Sequence, residues 1–231
     1  MNEEEPMAAG GFEATDLMPF MFWAMIIFVA LYVYLYYKRE DKRAKAFKAW
    51  GKQHGFRYGR GEGALANFSA AEPWGRGKRR EGAHVLRGEH RGEPVLLFEY
   101  RHMGSGDSKE VFNYQVAAVP LPVSVPLLDI GQETGRTRRF GDDIDFENQA
   151  FNDKFRIESA DRRFAFDVVH ARTMEWMLAD PRASAMPWRF EGKWLMTFEK
   201  KKLDPADALR RADFLLDARA QAPAYLWSPR P

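Results

Sequence analysis

Cysteine is absent from the 231 residues. Disulfides, thiolate zinc sites and cysteine nucleophiles are thereby excluded, a composition that suits a reducing compartment. The phosphate loop G-x-x-x-x-G-K-S/T, the zinc-protease H-E-x-x-H, the G-x-S-x-G elbow and the protein-kinase signatures are missing too. No cofactor motif, internal repeat or low-complexity segment is present, so the cofactor expectation is none. Two further absences concern charge. Residues 1–16 contain no Lys or Arg, and residues 17–37 contain no charged side chain of either sign.

That uncharged run, LMPFMFWAMIIFVALYVYLYY, is the dominant feature of the chain. As a helix its 21 residues rise about 31 Å, enough to cross a hydrocarbon core of about 30 Å. A buried core helix of that length would show a polar face, and this one has none. A cleaved signal peptide would need a basic start and a small-residue cleavage site. Here the start is acidic (Glu3, Glu4, Glu5, Glu13, Asp16) and the run ends in Tyr-Tyr-Lys-Arg. Lys38, Arg39, Lys42, Arg43, Lys45 and Lys48 follow the run, and the side rich in Lys and Arg stays in the cytoplasm. The expectation is a single-pass protein of a bacterial plasma membrane, N-terminus outside and main domain inside. Phe20, Phe22 and Trp23 near one end and Tyr32, Tyr34, Tyr36 and Tyr37 near the other suit the two headgroup levels. Pro19 falls in the first turn, where its missing N–H costs little. The run has no Gly, and hence no G-x-x-x-G pairing motif.

All 35 basic residues follow the run, against 28 of the 33 acidic ones, so the inner part carries +7 while the whole chain is +2. Such a body is drawn toward an anionic leaflet. Four regions follow: an acidic tail 1–16, a transmembrane helix 17–37, a basic juxtamembrane helix 38–54 and a cytoplasmic domain 55–231. In the juxtamembrane helix Ala44, Phe47 and Trp50 share a side. The stripe is short, which favours docking on the domain over lying on lipid. Gly51, Gly55, Gly59, Gly61 and Gly63 then break helical periodicity.

Strand-like runs follow at FRYG, VLRGEH, VLLFEYRHM and VFNYQVAAVPL, with a turn at Arg91-Gly92-Glu93-Pro94, and they predict an antiparallel meander. Pro120 to Pro126 is read as an edge strand or crossover, not a central strand. Residues 141–147 are read as loop and Phe155–Ser159 as a strand. One or two short helices are expected over 161–179, with Phe164, Ala165, Val168 and Val169 in one cluster and Met174, Met177 and Leu178 in another. Residues 188–200 are read as a hairpin turning at Glu191-Gly192. Asp204-Pro205 opens a last helix, with Asp as N-cap and Ala208, Ala212, Leu215 and Leu216 on its apolar side. The fold class is α+β, mainly antiparallel sheet with two or three covering helices behind one N-terminal transmembrane helix.

The string FENQAFNDKFRIESADRRFAFDVVHARTMEWMLAD, the later WRFEGKWLMTF and the closing Pro-x-x-Leu-Trp at 223–227 resemble a family of actinobacterial membrane proteins with a domain of unknown function. The family's Phe-Asn, its Phe-x-Val strand and its two-part helix match here as Phe151-Asn152, Phe155-Arg156-Ile157 and residues 161–179. FKAWGKQHGFRYG at 47–59 and FEY at 98–100 match too, so the resemblance spans most of 45–227. It implies an anchored cytoplasmic domain and transfers no catalytic residue. Phe151, Phe155 and Phe164 are read as core.

Four groups carry candidate chemistry. Asp142, Asp143, Asp145 and Glu147 offer oxygen ligands at alternate positions, as Ca²⁺ or Mg²⁺ would need. Asn148 and Lys154 nevertheless occupy the EF-hand's Gly and Glu positions, so a solvated acidic turn is preferred. Arg76, Lys78, Arg79 and Arg80, with Arg136, Arg138 and Arg139, form two Gly-flanked basic loops suited to phosphates or lipid headgroups. Trp74 is the aromatic beside them, and no nucleic-acid motif accompanies it, so nucleic acid is not expected as a partner. His54, His84, His90, His102 and His170 are read as surface or partly buried residues without a diagnostic partner. The G-S-G-D-S-K segment at 104–109 is read as a hairpin turn over an anion cradle. The leading reading is a non-catalytic membrane-anchored scaffold or regulatory module. It contacts the bilayer through 17–37 and a protein partner through its domain. An anionic-lipid or phosphate-binding module comes next, and a metal-dependent hydrolase third.

Overall fold

With a run of good helix formers beyond the apolar stretch, residues 14–54 form one helix, α1 (Ala14–His54), which carries Gly51 in its last turns, in the computed structural model of the chain. The structure describes residues 14–106, 108–133 and 144–228, with side chains from Phe20 onward. It divides into two compact units, Met1–Ala46 and Phe47–Pro231. In the first unit every side chain from Phe20 to Arg39 is exposed, and the apolar window has a mean hydropathy of 1.9. By length and composition this helix can cross a membrane.

The second unit opens with the last turns of α1. Phe47 lies 4.9 Å from the ring of His84 and Trp50 lies 5.5 Å from that of Phe56. The helix stops at Gly55, whose φ of +77° is cheap only for glycine. Phe56 N–H then donates to Gly51 carbonyl at 2.7 Å, closing the last turn.

Six strands follow: β1 (Arg57–Glu62), β2 (Lys78–His90), β3 (Glu93–Met103), β4 (Val111–Gln132), β5 (Phe155–Ser159) and β6 (Trp188–Glu199). They form one antiparallel sheet in the order β1-β2-β3-β4-β5, with β6 also paired to β4. Short helices α2 (Gln149–Asn152), α3 (Arg162–Val168), α4 (Ala171–Ala179) and α5 (Pro181–Ala185) separate β5 and its approach from β6. A longer helix, α6 (Pro205–Gln221), comes last. Its start is as the residue types predict. Asp204 accepts from Ala206 and Asp207 N–H at 3.0 and 3.3 Å, with Pro205 in the first turn. Asp161 caps α3 likewise, accepting from Phe164 N–H at 2.9 Å.

Two expectations are corrected. The Pro120–Pro126 stretch belongs to β4, the central strand of 22 residues. Proline is tolerated there because β3 pairs only up to Ala118 and β5 begins at Leu128, while the β6 ladder shifts register between Pro120 and Val125. Residues 188–200 are not a hairpin. They form the single strand β6, and Gly192, at φ +57°, pairs with Val125 between two register shifts whose extra residues lie on β4.

The irregular pairing shows in which side chains are covered. Strand residues alternate between two buried clusters, one shared with the helices and one on the opposite face. Trp188 and Phe190 face the helices before Gly192; after it the phase flips, so Leu195 faces the helices and Met196 and Phe198 face away. Gly192→Val should therefore cost about 1–2 kcal/mol for the left-handed backbone alone. For a unit of this size the melting temperature should drop by several degrees, as a thermal unfolding scan would show.

The helix-side core contains Phe151, Phe155, Phe164, Trp188, Phe190 and Phe214, each under 4 % exposed. The family-like aromatics are thus core, as read. The opposite face is covered by a smaller cluster built on Trp74, Tyr100, Phe98 and Phe198. The chain between β1 and β2 supplies Trp74 and Leu65 to it.

Candidate functional site

Of the basic residues singled out in the sequence, Arg136, Arg138 and Arg139 lie outside the described residues, as do Asp142 and Asp143. Asp145 and Glu147 are exposed and flank the buried Phe146, so their carboxylates alternate outward from a segment anchored by its apolar neighbours. Among the described residues no group of three His, Asp or Glu could hold a metal ion. The other basic segment is not a loop throughout. Lys78, Arg79 and Arg80 open β2, with a register shift before Glu81 and Arg79 at φ +50°. All three are exposed. Trp74 is 1 % exposed and belongs to the core rather than to a surface.

Arg76 and Lys78 are instead brought to the β3–β4 hairpin. The hairpin forms as the 104–109 residues suggest: β3 ends at Met103, β4 starts at Val111, and Gly104 N–H donates to Glu110 carbonyl at 2.9 Å. Lys78 Nζ donates to Gly106 carbonyl at 3.3 Å. Arg76 pairs with Glu72. Between residues 72–76 and the hairpin lies a cleft of about 360 Å³, lined by Arg76, His102, Ser105, Ser108, Phe112 and Tyr114 among others. Register places His102 opposite Phe112 and Tyr100 opposite Tyr114. The His102 ring stacks at 14° on both Phe112 (5.1 Å) and Tyr114 (5.9 Å), giving the cleft an aromatic wall. Lys200, just past β6, puts its ammonium 4.4 Å from the Phe112 ring centre.

Behind the wall two polar atoms are buried without a hydrogen-bond partner among the described residues, Trp74 Nε1 and the Tyr100 hydroxyl. Burial, with Tyr114 adding to it and Arg80 opposing it, pushes the Tyr100 phenol up to about 12. Because the folded value lies above the unfolded one, this contribution to stability is complete below about pH 10 and fades as pH rises toward 12. A phenolate absorbance titration should show a tyrosine ionising near pH 12, absent in Tyr100→Phe. That variant also removes an unmet hydroxyl, so it should be neutral or stabilising by about 1 kcal/mol.

The other buried ionisable groups fasten segments to the sheet. Arg189, fully buried, donates to Asp129 (2.9 and 3.3 Å), to Ser69 Oγ (2.7 Å) and to Glu72 carbonyl (3.0 Å). Glu99 accepts from Arg101 Nε at 2.5 Å and from Leu203 N–H at 2.7 Å, fixing the entry to α6. Burial alone would raise the Asp207 carboxyl. Hydrogen bonds from Lys201, Gln115 and Arg211 outweigh it and hold the group below the usual carboxylate range.

Two histidines are more deeply buried than the reading of surface or partly buried residues, and several have partners that no diagnostic spacing revealed. His84 and His102 are 3 % and 6 % exposed, and His84 Nδ1 lies 2.9 Å from the Tyr58 hydroxyl. His90 Nε2 sits 2.7 Å from Asp213 of α6, 123 residues along the chain, a partner that no local spacing reveals. A second cleft of about 630 Å³ crosses the open sheet face near Arg57, Arg87, Glu89, Pro94 and Trp194. The signal that assembles either cleft is strand register, which is not written in any short motif.

No protein-family model and no curated protein matches the chain. Among solved structures, it is similar to the crystal structure of the mycobacterial trehalose monomycolate transport factor A, TtfA. That likeness has 19 % sequence identity and a TM-score of 0.54, and it covers 81 % of this chain and 97 % of that one. At this identity the likeness is one of fold.

Proposed function

We propose that the chain is a membrane-tethered, non-catalytic module that presents its α+β unit to a protein partner at the cytoplasmic face, as an accessory to a membrane transport assembly. The observation that carries this reading is the exposed apolar length of α1, Phe20 to Tyr37, in the same chain as a polar unit with its own core. The fold it shares with a protein named as a transport factor supports the accessory role. So does the use of Arg189, Glu99 and Asp207 as structural fasteners, which commits the buried charges to holding segments in place. The excess of Lys and Arg after Tyr37 supports an outside N-terminus. Membership of the actinobacterial single-span family is part of the same proposal.

Crosslinking in cells, followed by purification from native membranes, tests it against a chain ending at His54. One stoichiometric partner that requires residues 55–231 is the expected result. Turnover of a substrate by the full chain, abolished by a point change in a cleft, would overturn it. The absence of cysteine permits a clean topology measurement. A single cysteine at Ala8 should react with an impermeant maleimide in intact cells, and one at Lys200 only after lysis.

A further inference from the structure

The cleft beside the β3–β4 hairpin has a composition that a purely protein-facing module does not require. We propose that it is a binding site for a small phosphate monoester, with the phosphate at its cationic rim and a planar or apolar body against the aromatic wall. Arg76 lines it, and two further cations contact residues at its edge: Lys78 on Gly106 carbonyl and Lys200 over the lining residue Phe112. Glu72 pairs with Arg76, but the Arg76 side chain is 65 % exposed and a guanidinium has five donors. A second oxyanion can therefore share it.

The neutral lining is equally specific. Ser105 and Ser108 add hydroxyl donors; Ser108 Oγ already accepts from Glu110 N–H at 3.3 Å, which leaves its proton for a ligand. His102 Nδ1 lies 3.1 Å from Met103 carbonyl, so a neutral ring carries its proton there and keeps Nε2 as an acceptor. The stacked Phe112, His102 and Tyr114 rings give the cleft an aromatic side, with Phe112 and Tyr114 half-buried. About 360 Å³ is at the small end of ligand-site volumes and holds one phosphate and one or two rings. Trp74 Nε1 and the Tyr100 hydroxyl, buried next to this wall, have no hydrogen-bond partner among the described residues. Sequence alone assigned Arg76 and the 104–109 turn to separate features; the fold joins them.

The experiment uses the full chain in phosphatidylcholine nanodiscs at low salt, with 1-naphthyl phosphate as probe and inorganic phosphate and 1-naphthol as comparisons. Naphthyl phosphate should bind at least tenfold tighter than either comparison. Arg76→Glu with Lys200→Glu should weaken it tenfold or more, while the charge-matched Lys52→Glu with Arg172→Glu should not. Phe112→Ala, read alongside its melting curve, should lower naphthyl phosphate affinity and leave inorganic phosphate unchanged. No preference for naphthyl phosphate, or equal losses in the two charge-reversed pairs, would overturn the site. Phosphatidic acid in the discs separates two sources of the same chemistry. A weaker apparent probe affinity there identifies a lipid headgroup as occupant, and an unchanged one identifies a free monoester.

Discussion

Replacing Arg189 by Met should destabilise the second unit by about 3–5 kcal/mol, the range for removing one partner of a buried ion pair. The guanidinium is inaccessible and holds Asp129 of β4 while reaching Ser69 and Glu72 in the segment that delivers Trp74. It also lies 5.1 Å from the ring centre of Phe198. Without it, Asp129, 6 % exposed, keeps a charge that neither water nor protein offsets. The melting temperature should fall by on the order of 10 °C. The double variant Arg189→Met with Asp129→Leu should recover much of that loss, because apolar replacement of both partners removes the orphaned charge. Equal instability of the single and double variants in denaturant titration would show that packing, not charge pairing, sets the cost.

A still plainer loss is expected in α1. Ile27→Asp with Leu31→Asp places two carboxylates within the exposed apolar length, one helical turn apart. Each costs about 2.5–3.5 kcal/mol near a bilayer centre, so the pair should abolish stable insertion. Alkaline extraction of membranes should then release the variant and retain the parent chain. Release of the parent chain as well would remove the anchor from the proposed function while leaving the α+β unit as described.

How far the residues announce the fold depends on whether the signal is local. Asp204-Pro205 announces α6, and the Phe155–Ser159 run announces β5 to the residue, because capping chemistry and β-branched alternation act within a few positions. Gly192 was misleading for a physical reason. A hairpin turn and an irregular point within a strand can both use a residue at positive φ, and only the partner strand distinguishes them. The prolines of β4 misled likewise, since the gap between β3 and β5 that tolerates them exists only in the assembled sheet. The candidate cleft was half legible. Arg76 and the glycine-serine turn stood out singly, whereas His102, Phe112 and Tyr114 form a wall only through the β3–β4 register. Trp74 beside a basic segment suggested a surface aromatic, and its burial follows from a face of the sheet that needs a lid.

The β4–β6 pairing also sets a timetable. Gln115 is registered with Glu199 and Ile130 with Trp188, so the central strand leaves the ribosome well before the strand that covers its flank. Pairings so distant in sequence form slowly, and an uncovered flank is a template for promiscuous association. A nascent chain halted before Trp188 would therefore expose β4 to proteases and chaperones, and synthesis through residue 199 is the step that covers this flank.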